Sequence, residues 1–564
     1  MKINFIINEE NIDSTIDSNI MSFLFKKIKA NIDIKCFNVN NFKCDKASIN
    51  IFFGCINNVL LDFAKSNILV PNQNSFIKEW THYLDKFDLV LVKTKYMEEI
   101  FKTYLSNDKI KYIGWRSTDF FTPVDKEFNE YLLYCYDDKF TNYQTIIDSW
   151  EIGYPILNII NESFINNKKI QANIKYNEKL TQNEFENLFN KCGIHLCLNS
   201  IDSFSHNINQ TCLSKSIPVI INGGPMKEIV NLEDCFHIKG KKKKLNNFLG
   251  SKYDYNMDDF KVLITKIMNT SINTLEIISE NVRVNAIKNH GINDNLFKNI
   301  FVPYLKELRE LPISNSQEII SSELPKVTCI TLCHNRKHLF KLAIYNYQTC
   351  KYPKNKLEWL IYDTSNEEEK IEDLLPSDEE KQKLNINYYH NPNLITIGAS
   401  RNNACKLAKN NIIVFMDDDD YYFPQNINKR VNSLINNNKT KIVGTRFIAS
   451  LAINKVISYI NSPHVYSKLG SSISPATLCF YKDILTNECK FSDENINECE
   501  EIFNKLDLGV FKELSWEEII VSISHKNNIT NRNVPNVKPN GCNYGWGDKL
   551  LKFILELDDR VIET

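Results

Sequence analysis

The stretch IIVFMDDDDYYFP, residues 412–424, decides how this chain is read. Five apolar residues run into four consecutive aspartates, Asp417 to Asp420, and an aromatic–proline turn follows. Apolar residues at consecutive positions mark a strand buried on both faces, as in a parallel sheet covered by helices. In open α/β sheets ligands bind beyond the carboxyl ends of such strands. Adjacent carboxylates repel, so acids gathered at that edge call for a cation, and Mg²⁺ or Mn²⁺ bridging phosphates supplies one. An acidic surface turn is the plainer alternative, but it does not explain the buried strand.

Outward from this point the same grammar repeats. VTCITLC (327–333), LEWLIYD (357–363) and LNINYYH (384–390) are further β-rich runs separated by helical patterns. Before them, residues 309–326 are polar and turn-rich and read as a linker. The first 308 residues carry their own alternation, with strands at MKINFII, ASINIFF, FDLVLV, YLLYCY, PILNIIN, GIHLCLN and IPVIIN. The predicted class is α/β throughout, with two different domains and no internal repeat.

A chain of 564 residues suggests several domains, and 43% hydrophobic residues can fill their cores. The net charge of −1 gives no signature of nucleic-acid or membrane binding. The local run KGKKKK (239–244) is expected to be a solvated loop. Sixteen cysteines are scattered without a CxxC pair, which argues against structural zinc and for a reducing, cytoplasmic setting. The polar amino terminus does not read as a signal peptide, and no apolar run is long enough to span a membrane. Abundant Asn, Lys and Ile resemble the proteins of AT-rich genomes, giant DNA viruses among them, for which the host cytoplasm or virus factory would be the setting.

Four motifs in order carry a resemblance: His334-Asn335-Arg336 after one strand, Asp363-Thr364-Ser365 after the next, Ser400-Arg401-Asn402 opening a helix, then Asp417 to Asp420. Together they resemble the nucleotide-sugar half of a family 2 glycosyltransferase of GT-A fold. The resemblance implies metal–diphosphate contact at Asp417 and Asp419, with Mn²⁺ or Mg²⁺, and a sugar or supporting contact at Asp420. Asp418 falls at the family's variable position. It implies donor contacts from Asn335, Asp363 (to the base), Ser365 and Arg401 (to phosphate or to the aspartate loop). A general base is expected in NECEEIFNKL (497–506), where Glu501 takes the base position beside Glu500. His525 fits a histidine near the diphosphate.

In the first half, IHLCLNSIDSFSHNINQTCLSKSIPVIINGGPMKEIV (194–230) resembles the donor lobe of family 4-like GT-B transferases. Asp202, His206, Gln210 and Glu228 occupy its motif positions. Two acids are altered there, and Ser203 and Ser205 replace glycines that let backbone approach phosphate. The loop DDKFTNYQT (137–145) lacks the usual phosphate-binding residues. The expectation is a GT-B-like pair of Rossmann-type lobes (about 1–125 and 126–308) without activity, joined to a GT-A domain at 327–564.

The function implied is inverting, metal-dependent sugar transfer, hexosyltransferase-like, from a UDP-, GDP- or dTDP-sugar to a hydroxyl of a glycan or protein. Alternatives are two active transferase domains, a nucleotidyltransferase, or a non-catalytic glycan-binding scaffold. The glycine-free turn CHNRKHL after the first strand argues against the nucleotidyltransferase.

Overall fold

The computed structural model describes every residue except 42–43, 136–142, 161–168, 178, 311–323, 394, 464–466, 526–527, 529–545, 547 and 558–564. It comprises two compact units, Met1–Asn57 with Leu61–Pro312, and Asn58–Leu60 with Ile313–Thr564. Most of the expected linker and the start of the DDKFTNYQT loop lie outside the described residues.

The first unit is built on two parallel six-stranded sheets. One comprises β1 (Lys2–Ile7), β2 (Asp33–Asn38), β3 (Ala47–Phe53), β4 (Ala64–Val70), β5 (Leu89–Val92) and β6 (Ile110–Tyr112), in the order β2-β1-β3-β4-β5-β6. The other comprises β7 (Glu127–Tyr134), β8 (Ile156–Ile160), β9 (Ile174–Asn177), β10 (Cys192–Cys197), β11 (Ile217–Asn222) and β12 (Phe236–Lys239), in the order β12-β11-β10-β7-β8-β9. All six residues of β10 are buried, as a strand covered on both faces requires. The lysine run expected as a loop is instead extended. Lys241–Lys244 form β13, paired antiparallel with β14 (Ser251–Asp254), and all four lysines are exposed.

The second unit centres on a seven-stranded sheet. Four consecutive parallel neighbours in it are β15 (Val327–Cys333), β16 (Leu357–Asp363), β17 (Ile386–His390) and β18 (Ile412–Phe415). After β19 (Tyr421–Tyr422) come β20 (Ile442–Gly444), β21 (Ile448–Ala452), β22 (Ile457–Asn461), β23 (Cys479–Tyr481), β24 (Phe511–Glu513) and β25 (Ile520–Ser524). The main order is β17-β16-β15-β18-β23-β20-β24, and a smaller sheet runs β19-β25-β21-β22. One face of the main sheet packs Tyr347 flat against Trp359, with ring centroids 4.4 Å apart. The other packs Phe415 against Phe480 and Phe491.

All four residues of β18 are buried. Just past its end, the wholly buried Arg430 donates to the carbonyl of Phe415 at 2.8 Å and to Asn426 Oδ1. This fixes where the chain leaves the sheet. Among the described residues, the cysteines form no disulfide, and no helix is long and apolar enough to cross a membrane.

Candidate functional site

Four aspartates leave β18 and meet four different environments. The N–H of Asp417 donates to Tyr422 Oη at 2.9 Å, so the first aspartate is pinned as the chain turns. Its carboxylate faces the Arg401 guanidinium, Oδ1 to Nη1 and Oδ2 to Nη2 each at 3.3 Å, a parallel two-point pairing. Asp418 is fully buried, and no well-aligned donor reaches either oxygen. Arg336 Nη2 lies 2.6 Å from its Oδ1 as an ionic neighbour. Burial first, then Asp419 and Asp417, push the Asp418 pKa well up against the pull of Arg336. Asp419 pairs with Arg336 Nη1 and with His525 Nε2, the latter at 3.2 Å. Asp420 Oδ1 accepts from the Ser522 hydroxyl at 2.6 Å and from the Ile523 N–H at 3.0 Å, which ties the aspartate turn to β25.

Arg336, from the loop after β15, and Arg401, from a helix, meet at the same sheet edge. Asn335, after β15, has φ +49°, a left-handed conformation that Asn tolerates better than most residues. Its N–H donates to Ser365 Oγ at 2.8 Å, and its Oδ1 accepts from the Asn366 N–H at 3.0 Å. This joins the loops after β15 and β16. Burial opposes the Arg336 charge, but Asp418, Asp419 and Asp417 outweigh it and raise its pKa. Arg401 sits on the helix Ile397–Leu407, capped by Thr396. It lies over the Phe415 ring at 4.6 Å and also meets Glu498 through Nε at 3.3 Å.

A cavity of about 1340 Å³ opens here, lined by Asn335, Arg336, Arg401, Asp417, Asp419, Asp420 and Glu498 among others. Not every expected residue faces it. Asp363 is fully buried and is not part of the lining. Its carboxylate accepts from the N–H groups of Ser365 (2.9 Å) and Ile371 (3.1 Å) and from Tyr388 Oη (3.0 Å), so it organises the loop. Glu500 and Glu501 line a separate, smaller hollow. They open the helix Glu500–Lys505, and Glu501 pairs with Lys505 four residues on, at 2.8 Å. The acid of that segment that reaches the main cavity is Glu498, two residues before the helix. Arg336 and Glu498 are among the residues to which the sequence reading gave no role. The only sequence signals were Arg336's place in the first motif and Glu498's place in an acid-rich segment.

In the first unit, Asp202, His206 and Glu228 bond across to the β1–β6 lobe. The carbonyl of Asp202 accepts from Gln73 Nε2 at 2.8 Å, and Ser203 Oγ donates to Asn74 Oδ1 at 2.6 Å. Burial, then Asp13, push the Asp202 carboxyl up to about 6. His206 lies between Ser117 Oγ (2.9 Å) and Asp17 Oδ1 (3.2 Å). Asp17 in turn pairs with the buried Lys93 at 2.6 Å. Glu228 accepts from the N–H groups of Lys95 and Tyr96, both at 2.7 Å, at the start of the helix Lys95–Phe101. The space beside Gly223 and Gly224 is filled by the Tyr253 ring, which a Cβ at either position would strike at 2.3 and 2.7 Å. Gln210 is half-buried on the helix His206–Leu213.

Residues 328–481 match the family described as Glycosyl transferase family 2. No curated protein matches the chain. Among solved structures, the chain is similar to S. aureus TarS 1-349 in complex with UDP, at 16% identity over 35% of this chain and 60% of that one, with a TM-score of 0.29. It is similar to the mannosyltransferase PcManGT from Pyrobaculum calidifontis in complex with GDP-Man and Mn²⁺, at 15% identity over 36% and 59%, with a TM-score of 0.30. It is also similar to Anabaena HepE in complex with UDP and glucose, at 9% identity over 54% and 100%, with a TM-score of 0.41. The chain thus spans about 60% of the TarS fragment it matches.

Proposed function

We propose that the chain is a glycosyltransferase, and that its second unit, which contains the residues matching the family 2 model, moves a sugar from a nucleoside diphosphate donor to a hydroxyl with inversion. The observation that carries this reading is the cavity at the carboxyl edge of the sheet, walled by Asp417, Asp419, Arg336 and Arg401. An anionic donor needs cations there, and a planar guanidinium suits phosphate oxygens. The acids suit a divalent cation too: Asp417 and Asp419 border the cavity, and the neighbouring Asp418 carboxylate is buried without a hydrogen bond. Mg²⁺ and Mn²⁺ favour oxygen ligands, and Mg²⁺ typically takes one or two carboxylates alongside substrate phosphates. Asp417 and Asp419 would hold the ion, and when bound it neutralises charge on the departing diphosphate.

This chain's residues then have separable tasks. Arg401 fixes the Asp417 carboxylate toward the cavity. His525 steadies Asp419, and Asp420 anchors the turn to β25. Asn335, steadied by Ser365, shapes the nucleotide end, with Asp363 holding the Ser365 loop from beneath. As the acceptor oxygen bonds to the anomeric carbon, the bond to the diphosphate breaks and a carboxylate takes the hydroxyl proton. Glu498 is the carboxylate we assign to that step, because it lines the cavity and Glu500 and Glu501 do not. The donor class is a UDP-, GDP- or dTDP-sugar and the acceptor a glycan or protein hydroxyl.

For the first unit we propose a GT-B-like pair of lobes that performs no transfer. Its motif positions are spent on lobe-to-lobe bonds through Gln73, Asn74, Asp17 and Lys95, and Tyr253 fills the glycine turn. The test is incubation of the full chain with UDP-, GDP- and dTDP-sugars and Mn²⁺, following nucleotide release. Release that EDTA abolishes supports the reading, and no release with any donor refutes it.

A further inference from the structure

Arg336 touches two of the four aspartates and appears above only as one of the cavity's cations. One nitrogen, Nη2, is 2.6 Å from Asp418 Oδ1, and the other, Nη1, pairs with Asp419 Oδ2. The guanidinium therefore bridges adjacent carboxylates at the end of β18, where an oxygen-ligated cation would sit. For Asp418 this guanidinium is the compensating charge in direct contact, at 2.6 Å, while no well-aligned side-chain donor reaches either oxygen. A buried carboxylate without compensation is strongly disfavoured. The arginine is nonetheless not sealed in. Its side chain keeps 18% exposure and lines the cavity, carried by the loop after β15 on the left-handed Asn335.

We propose that Arg336 is the resident counter-charge of the Asp418–Asp419 pair, and that it yields Asp419 to a divalent cation only when a nucleoside diphosphate offers phosphate oxygens in exchange. This rests on the donor-site reading above and adds an order to it: the free protein takes up the cation poorly, and nucleotide and cation bind as a coupled pair. The chemistry is an exchange of ionic partners. The guanidinium moves from carboxylate to phosphate, both of which it can hold at two points, and Asp419 is freed to ligate the ion. Two cations cannot share Asp419 without repulsion, so Arg336 and the ion compete in the empty pocket.

Mn²⁺ binding by the full chain, read from loss of the free-ion electron paramagnetic resonance signal, tests this without any turnover. Wild-type protein should bind Mn²⁺ weakly alone and more tightly with UDP or GDP. Arg336→Gln should bind Mn²⁺ alone about tenfold more tightly, because a unit positive charge beside the site is gone. It should also lose most of the nucleotide enhancement. Arg336→Lys, which keeps a charge but not the fork, should stay near wild type for Mn²⁺ alone, and it guards against a loss that reflects misfolding. If Arg336→Gln binds Mn²⁺ alone no better than wild type while nucleotide still enhances both, the Arg336 proposal fails and the cation site stands. If neither protein binds Mn²⁺ with or without nucleotide, the cation site itself falls.

Discussion

Asp420→Ala should behave as a folding mutation although it sits in the aspartate run. One carboxylate oxygen accepts from the Ser522 hydroxyl at 2.6 Å and from the Ile523 N–H at 3.0 Å, and both residues are buried. Hydrogen bonds to a charged group contribute about 1.5–3 kcal/mol each, and the truncation also strands two buried donors. The expected loss is about 3–5 kcal/mol, concentrated where the aspartate turn meets β25. Hydrogen exchange on the full chain reads this locally. The Ile523 amide should exchange about a hundredfold faster or more in Asp420→Ala, while amides of β1–β6 in the first unit stay unchanged. Asp420→Asn keeps an acceptor oxygen and should fall between. Unchanged protection at Ile523 would refute the assignment of Asp420 as the tie and return it to the donor site.

Asp419→Ala should abolish nucleotide release with the fold retained by circular dichroism. Asp418→Asn should shift the unfolding temperature by only a few degrees, because the charge it removes is disfavoured by burial but compensated by Arg336 at 2.6 Å. Arg430→Ala should lower the unfolding temperature of the second unit by about 10 °C in calorimetry, from about 3–4 kcal/mol of lost bonds to the Phe415 carbonyl and Asn426. Asp202 carries a pH signature in the first unit. Its folded pKa of about 6 exceeds the usual carboxylate value, so the folded state holds a proton that the unfolded chain releases between about pH 4 and 6. Stability therefore falls as pH rises through that window, by at most about 3 kcal/mol. Asp202→Asn should flatten this fall in denaturation measured at pH 4.5 and 7.5. Glu498→Gln should cut transfer by about a hundredfold or more, whereas Glu501→Gln should change it less than threefold.

Much of the second unit was legible because its strands are buried on both faces and so read as unbroken apolar runs. VTCITLC and LEWLIYD are β15 and β16 to the residue. In the first unit β2, β4, β9 and β12 escaped: DIKCFN, IKYN and FHIK are edge strands with exposed side chains, and AKSNILV mixes polar residues into its run. Site positions were harder for a different reason. The four aspartates look alike in one dimension, and their separate tasks come from partners far along the chain: Arg336, Arg401, Ser522 and His525. Asp363 stands at the predicted strand end, but its occupation by Ile371 and Tyr388 depends on how the following loop returns. That Glu498 and not Glu501 lines the main cavity has a local cause. Glu501 belongs to a helix whose Lys505 claims it, and only the residues before the helix face the cavity.

The central claim is that the donor binds at the aspartate edge of the second unit and not between the lobes of the first. Equilibrium binding of UDP, GDP and dTDP with Mn²⁺ to full-length Asp419→Ala and His206→Gln proteins tests it most directly. The account predicts that a nucleotide bound by wild type is lost in Asp419→Ala and kept in His206→Gln. The reverse pattern would contradict it.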